Sequence, residues 1–199
     1  REILPQNLLS CREAFRLALQ VHKDDQIPSH WTDAGIIPPI ESAQLGDARW
    51  AGGTLFTDVR KAETSASLEA VWHIIVSIGG KTGWYHANWL WELRGFLDRL
   101  FGGVGLRRGR RHQHELRVGD ALDFWRVADL HENGKLLLAA EMKLPGKASL
   151  EFRIEKKDSG KISVTQTARF RPKGLWGILY WYFILPLHGN IFSGMLKNI

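Results

Sequence analysis

Cysteine is nearly absent: Cys11 is the single one in 199 residues. This excludes a disulfide framework and any cysteine-rich zinc site, and it suits a reducing compartment, so we expect a cytoplasmic protein. Long apolar runs are also missing, because the most apolar uncharged stretch covers only the 14 residues 174–187. A membrane-spanning helix needs about 20 apolar residues. The stretch therefore predicts a buried amphipathic helix, with a helix lying on a membrane surface as the alternative.

The chain lacks a positively charged leader followed by an apolar run, so no signal peptide is visible. Its first residue is Arg1 rather than methionine, from which we expect a fragment of a longer protein. Hydrophobic residues make up 44% and charged residues 24%, which excludes disorder. The net charge of +6 favours anionic partners. It falls short of the cation density of a dedicated nucleic-acid-binding protein.

Residues 1–50 and 51–199 differ in pattern, which predicts two parts. In the first part, Ser10 and Glu13 form a capping box that starts one helix over residues 11–21. A proline-rich connector follows, marked by Pro28, Pro38 and Pro39. Because residues 1–50 cannot build a core alone, we expect them to be the tail of a preceding domain plus a linker.

Residues 51–199 begin with a strand-like segment and two helix patterns. Ser67 caps the first helix, which Gly79 and Gly80 end, and the second helix starts near Ala87. The apolar spacing predicts two inward-facing sets: Leu68, Val71, Trp72 and Ile75; then Leu90, Leu93, Leu97, Leu100 and Phe101. The glycine-rich stretch 102–109 follows a helix rather than a strand, so we interpret it as a helix end and a turn, not a phosphate loop.

The second half of the chain alternates between apolar and polar residues and contains three tight-turn signals. These are Asn133-Gly134, Pro145-Gly146 and Ser159-Gly160. Period-2 alternation with one charged face indicates an antiparallel sheet that is covered on one side. The sequence therefore predicts an α+β fold, in which a curved antiparallel sheet of about five meander strands plus one wraps around a long C-terminal helix. A ligand pocket would lie between sheet and helix.

Several motifs of this region resemble a known family. They are RGFLD at 94–98, GGVGLRRGR at 102–110, GD at 119–120, DFWRV at 123–127, AEMKLPG at 140–146 and GLWGILYWYFILPLHGNIFSGM at 174–195. With these motifs, the chain from about Trp84 onward resembles an uncharacterised bacterial domain of the START-like, polyketide-cyclase-like (SRPBCC, helix-grip) superfamily. The resemblance implies the helix-grip fold, and it implies neither a known substrate nor catalytic residues.

Domains of this kind are commonly fused behind an NAD(P)-binding domain similar to atypical short-chain dehydrogenases or epimerases. The resemblance therefore implies such a domain upstream, in cis, as a partner. NAD(P) is expected only there, because residues 1–199 contain no strand, glycine loop and helix unit of the dinucleotide-binding type. We expect no cofactor in this chain.

The candidate ligand-contacting residues are polar or aromatic positions on predicted strands and on the C-terminal helix: Asp123, Trp125, Arg126, Glu141, Gln166 and Trp181. Asp123 and Trp125 are predicted to share a strand face, and Glu141 is predicted to lie on the neighbouring strand. We expect an arginine, Arg126 or Arg153, to pair with at least one of the two acids. A purely structural hydrogen-bond network is the alternative for these residues.

A cationic cluster gives a second candidate site, for an anionic headgroup or phosphate: Arg107, Arg108, Arg110 and Arg111. The alternative is a solvated loop and edge strand, whose cations discourage edge pairing. No aromatic stacking platform interleaves with the cluster, so we expect no nucleic acid partner. Among eight histidines, His112 and His114 share a strand spacing, but no further ligands complete a set, so we expect no metal.

Three functions remain open from the sequence. The leading hypothesis is a non-catalytic domain that binds a hydrophobic small molecule as an accessory to the upstream domain; nine tryptophans would suit a flat apolar ligand. The second is a cyclase-type or dehydratase-type enzyme that uses Asp123 or Glu141 as acid or base. The third is a peripheral membrane module that combines the C-terminal aromatic helix with the arginine cluster.

Overall fold

The computed structural model describes residues 9–23, 53–106 and 109–199. The connector predicted at Pro28, Pro38 and Pro39 lies outside these ranges. The described elements are α1 (Cys11–Lys23), β1 (Phe56–Thr64), α2 (Leu68–Val76), α3 (Asn88–Leu100), β2 (Ala121–Leu122), β3 (Trp125–His131), β4 (Lys135–Ala140), β5 (Gly146–Lys156), β6 (Ile162–Pro172) and α4 (Gly174–Asn198). The predicted capping box is present, since Glu13 accepts the Ser10 amide and the Glu13 amide donates to the Ser10 hydroxyl.

The six strands form one curved antiparallel sheet in the order β1-β6-β5-β4-β3-β2. The three predicted turns join consecutive strands: Asn133-Gly134 links β3 to β4, Pro145-Gly146 leads into β5, and Ser159-Gly160 links β5 to β6. Asn133 has a φ of +56°, as a tight hairpin turn requires. The strand β1 lies at one edge of the sheet and pairs with β6.

One face of the sheet carries the apolar core. Leu138, Leu150 and Phe152 are fully buried there, and Val71 and Ile75 of α2 pack onto them in the same cluster. The opposite face of the sheet is less exposed to solvent than the alternation of apolar and polar residues predicts. Glu151 is buried on that face because Arg169 and Arg153 both pair with its carboxylate.

The helix α3 faces the core with a different side from the one its apolar spacing predicts. Leu93, Leu97, Leu100 and Phe101 are exposed, and the buried residues are Trp91, Gly95 and Asp98. The reason is a polar anchor: the Asp98 carboxylate accepts the amides of Gly105 and Lys143 at 2.9 and 2.7 Å. An unpaired buried amide costs more than an exposed leucine, so the anchor sets the orientation of the helix.

The helix α4 crosses β1 and β6, as a helix-grip fold requires. Trp181 is buried as predicted, between the rings of Phe56 and Phe170 at 5.2 and 5.9 Å. Toward its C-terminal end, Met195 is fully buried in the core. Pro186 is predicted from the sequence to end or kink this helix; it does not end it, because α4 continues to Asn198. Pro186 is exposed, so the carbonyl it leaves without an intrahelical partner can be solvated.

Candidate functional site

A pocket of about 430 Å³ opens beside the N-terminal part of α3. Its lining comes from the loop between α2 and α3, from α3 itself, from the loop before β2 and from the β2–β3 turn: Gly80, Lys81, Gly83, Trp84, Asn88, Trp91, Glu92, Leu106, Gly109, Arg110, Gln113 and Asp123. It does not lie between the sheet and α4, where we expected a ligand cavity. There, the side chains of Trp181 and Met195 pack against the sheet.

Asp123 is the central polar group of this pocket. One carboxylate oxygen, Oδ2, accepts hydrogen bonds from the indole Nε1 of Trp84 at 3.0 Å and from the Gly80 amide at 3.1 Å. The Asp123 amide donates to the Gly109 carbonyl at 2.8 Å. These three contacts tie the β2–β3 turn to both loops that line the pocket, and they fix the position of the carboxylate.

The predicted strand position of Asp123 is wrong. Asp123 lies in the turn between β2 and β3, with a φ of +53°. Because its backbone is left-handed rather than extended, it does not share a strand face with Trp125. Asp and Asn tolerate this conformation better than most residues, since their short polar side chains bond locally.

Burial raises the pKa of Asp123 above its usual value of 3.8. The bonds from the Gly80 amide and the Trp84 indole, and the charge of Arg110, act in the opposite direction without cancelling the effect. A carboxyl group of this kind is a stronger proton acceptor than a solvated one. Such perturbed groups in pockets are enriched at functional sites.

An aromatic cluster forms the wall behind the carboxylate. Trp84 stacks on Trp91 at 4.7 Å, and Phe124 and Trp125 lie behind it at 6.0 and 6.2 Å from Trp84. Trp84 and Trp91 line the pocket, whereas Trp125 belongs to the core. The indole nitrogens of Trp91 and Trp125 are buried without a hydrogen-bond partner among the described residues.

Glu141 forms the predicted ion pair with an arginine: Arg126 Nε donates to Glu141 Oε1 at 2.8 Å. Glu141 directly follows β4, and Arg126 points away from the face of Trp125 because it is the next residue in β3. A second donor nitrogen of Arg126 bonds the Gly119 carbonyl. Neither residue lines the pocket with Asp123, so the two acids do not face one cavity.

Gln166 and Trp181 lie in a third place, between the sheet and α4. Gln166 is fully buried, its Nε2 donates to the sulfur of Met195 at 3.5 Å, and its Oε1 has no partner in the described part of the chain. The six candidate ligand-contacting residues are therefore divided among the pocket, the hydrophobic core around Trp125, the ion pair and the α4 contact. Ligand contact by the five outside the pocket remains a prediction.

The described members of the arginine cluster turn inward. Arg110 donates to the carbonyls of Val76, Ile78 and His112. These hydrogen bonds connect the end of α2 with the loop before β2. Arg111 is buried in an ion pair with Asp120 at 3.1 Å. These two do not form an exposed cationic patch, because their guanidinium groups are occupied, and Arg107 and Arg108 lie outside the described residues.

Sequence reasoning missed the loop between α2 and α3. We interpreted Gly79-Gly80 only as a helix end, yet the Gly80 amide and the Trp84 indole are the donors to Asp123. The loop is rich in left-handed backbone, at glycines and also at Tyr85 and Ala87. Such conformations concentrate at functional sites. The spacing of Gly79, Gly80 and Gly83 was the available signal.

Within the described ranges, no three His, Cys, Asp or Glu side chains come together as a metal site requires. None of the helices in those ranges has the length and apolar character needed to span a bilayer.

The element order, the antiparallel sheet and the long C-terminal helix together define an α+β domain of the helix-grip class. The chain belongs to a family of proteins of unknown function, DUF2867, whose model matches residues 50–195. No curated protein matches the chain.

Several solved structures are similar to the chain at low identity. Norcoclaurine synthase from Thalictrum flavum is 8% identical with a TM-score of 0.44, and the match covers 83% of this chain and 95% of the synthase. CalU16 from Micromonospora echinospora is 9% identical with a TM-score of 0.37, over 71% of this chain and 82% of CalU16. XoxI from Bacillus cereus is 11% identical with a TM-score of 0.38, over 71% and 93%. None of these similarities bears on a ligand or a reaction.

The substitution Asp123→Asn tests the electrostatics of the pocket. Because the folded-state pKa of Asp123 is raised, the native state binds more protons than the unfolded state, and stability falls as pH rises through that pKa. Asparagine removes this dependence and tolerates the positive φ. We expect the stability of the wild type relative to the variant, in urea denaturation series, to decline as pH rises above 3.8, the usual pKa of the group. A difference that is constant with pH would contradict a raised pKa.

Proposed function

We propose that this domain binds a small molecule in the pocket beside Asp123. The observation that carries the proposal is the Asp123 carboxylate, which is buried, held by two N–H donors on Oδ2 and part of a pocket lining. The Asp98 carboxylate is also buried on N–H donors, but it does not line this pocket, whereas the Asp123 carboxylate does. No ion pair of Asp123 is present among the described residues, and its charge is stabilised by two N–H donors and by the charge of Arg110.

The pocket chemistry supports a ligand with a flat apolar part and one hydrogen-bonding group. The edges of Trp84 and Trp91 offer an aromatic surface for the flat part. The Asp123 carboxylate can accept a hydrogen bond from a hydroxyl or amine, or, when protonated, donate one to a carbonyl. This ligand is more polar than the purely hydrophobic molecule that composition alone suggested.

We further propose that the domain is an accessory to an NAD(P)-binding domain that precedes it in the full protein. The family resemblance and the capped helix α1 ahead of residues 50–195 support this arrangement. Reading the coding sequence upstream of Arg1 tests it. A strand, a G-x-G-x-x-G loop and a helix are expected there, and their absence would refute the arrangement.

Native mass spectrometry of the purified 199-residue chain tests ligand binding. We expect a bound small molecule of reproducible mass in the wild type and its loss in Asp123→Asn. The matched control is Asp129→Asn, which removes a half-exposed carboxylate on β3 remote from the pocket lining and should retain the mass. A wild type without bound mass that also fails to bind anilinonaphthalene sulfonate would refute the proposal. Equal retention by all three proteins would refute the role of Asp123.

A second candidate function is acid–base catalysis on the same ligand, which the raised pKa of Asp123 favours. The two candidates differ in what Asp123→Asn does to a bound molecule. A binding domain loses affinity, whereas an enzyme retains or accumulates unreacted ligand, so the mass of the bound species changes rather than disappears. Incubating the recovered ligand with fresh wild-type protein then separates them, because only an enzyme alters its mass.

A further inference from the structure

The helices α3 and α4 leave a large apolar surface uncovered. Trp176 and Phe183 of α4 are each 79% exposed, and Leu100 of α3 is 66% exposed. Leu93 and Leu97 of α3 and Leu179 of α4 continue the same rows at helical spacing. Single exposed apolar residues need no explanation, but a contiguous apolar surface on two neighbouring helices marks an interaction site. We call these six residues the α3/α4 surface.

The two helices adjoin at one end. Two residues of α3 bond the backbone of Lys143: Arg94 donates to its carbonyl at 3.1 Å, and the Asp98 carboxylate accepts its amide at 2.7 Å. Two residues further on, the Pro145 carbonyl accepts the Lys173 amide at the start of α4. The C-terminal end of α3 and the N-terminal end of α4 thus meet at the segment 143–145.

The border of the surface at this meeting point is cationic. Lys143 and Lys173 are both exposed there, and Arg99 is exposed on the last turn of α3. Acidic groups are scarce: α4 has no Asp or Glu, and of the two acids in α3, Asp98 is buried on backbone amides. Apolar side chains bordered by cations match the two layers of an anionic lipid leaflet, acyl chains beneath phosphate groups.

We propose that the α3/α4 surface docks on an anionic lipid membrane, with both helices lying in the interface and neither crossing it. Aromatic side chains are favoured at this depth, because their rings suit the boundary between headgroups and acyl chains. Trp176 and Phe183 are each 79% exposed on α4, as side chains that insert into such an interface must be. This proposal is independent of the Asp123 pocket, whose residues lie on neither row.

Vesicle flotation of the 199-residue chain tests the docking. We expect binding to phosphatidylcholine vesicles that contain about 30% phosphatidylglycerol, weak binding to pure phosphatidylcholine, and loss of binding as NaCl rises to about 0.5 M. Trp176→Ser with Phe183→Ser should lower partitioning about tenfold or more, since two large aromatic anchors are removed from the interface. Both residues are almost fully exposed, so circular dichroism and thermal unfolding should be unchanged.

Two further variants separate the contribution of the cationic border to vesicle binding from that of exposed apolar side chains elsewhere on the domain. Lys143→Glu with Lys173→Glu should weaken binding to the anionic vesicles and leave binding to pure phosphatidylcholine as it was. Val59→Ser with Val118→Ser removes two apolar side chains, each 53% exposed, away from α3 and α4 and should change nothing. Failure of the wild type to float with anionic vesicles would overturn the proposal. So would an oligomer that Trp176→Ser with Phe183→Ser converts to a monomer without affecting flotation, because the surface would then be a protein interface.

Discussion

Replacing Glu141 with glutamine is expected to lower the free energy of unfolding by about 3 kcal/mol. Arg126 is 1% exposed, and its guanidinium donates to Glu141 at 2.8 Å. Glutamine retains the size and one acceptor but removes the charge, so a buried cation loses its counter-charge. Urea denaturation followed by tryptophan fluorescence measures the effect, because the aromatic cluster lies in the core.

The control for this result is Asp129→Asn, which removes the carboxylate that Lys135 contacts at 2.5 Å at a partly exposed site. Its cost should stay below about 1 kcal/mol, as for other solvated ion pairs. Joint replacement by apolar residues, Arg126→Met with Glu141→Leu, should cost less than Glu141→Gln alone. A loss for Glu141→Gln no larger than that for Asp129→Asn would show that the buried pair is not the source of stability.

Replacing Gly177 with alanine is expected to destabilise the domain by about 2–3 kcal/mol, by overpacking. A Cβ atom at this position would lie 2.3 Å from the Pro145 carbonyl oxygen and 2.7 Å from the Cβ of Pro172. Both neighbours are held by backbone, so α4 itself must move away from the sheet. That shift would also loosen the stacking of Trp181, and its fluorescence should move to longer wavelength along with a lower melting temperature.

Gly189 is the matched control, because it lies in the same helix with nothing within 4 Å of an added Cβ. Alanine there should stabilise the domain by about 0.5–1 kcal/mol through its better helix propensity. The two substitutions are chemically identical and opposite in expected sign. Equal effects from both would mean that close packing at Gly177 does not hold α4 in place.

Most of the fold follows from local sequence signals. The capping box at Ser10, the N-cap at Ser67 and the turn at Asn133-Gly134 each act within a few residues, and all three are present. Such signals need no knowledge of distant chain segments. The alternation in β5 and β6 likewise reports burial directly, because it has the period of a strand.

The orientation of α3 could not be predicted in the same way. Its apolar spacing indicates one inward face, but the structure buries Asp98 instead, on the amides of Gly105 and Lys143. The second of these lies 45 residues away. A pattern confined to the helix contains no information about a carboxylate's partners in another loop, so hydrophobic periodicity alone gave the wrong face.

The candidate site was predicted in part. Asp123 was chosen for a strand face that it does not occupy, and the residues that hold it, Gly80 and Trp84, were not recognised. The pocket depends on two loops, the helix α3 and the β2–β3 turn meeting in space. Positive φ angles at residues such as Tyr85 and Ala87 cannot be predicted from residue type, because these residues rarely adopt them. The expected pairing of Glu141 with Arg126 was correct because both lie on adjacent strands across a predicted hairpin.

The pairing of β1 with β6 has a consequence for synthesis of the chain. Phe56 pairs with Phe170 and Thr64 with Ile162, so these partners are separated by 114 and 98 positions. Within this sheet, β1 is synthesised first and must therefore wait for β6, the last strand, before it is hydrogen-bonded. Contacts this distant slow folding, since the intervening loop must close first. Until β6 emerges, β1 and the facing edge of β5 have no hydrogen-bonded neighbour, and open strand edges of this kind promote pairing with other chains.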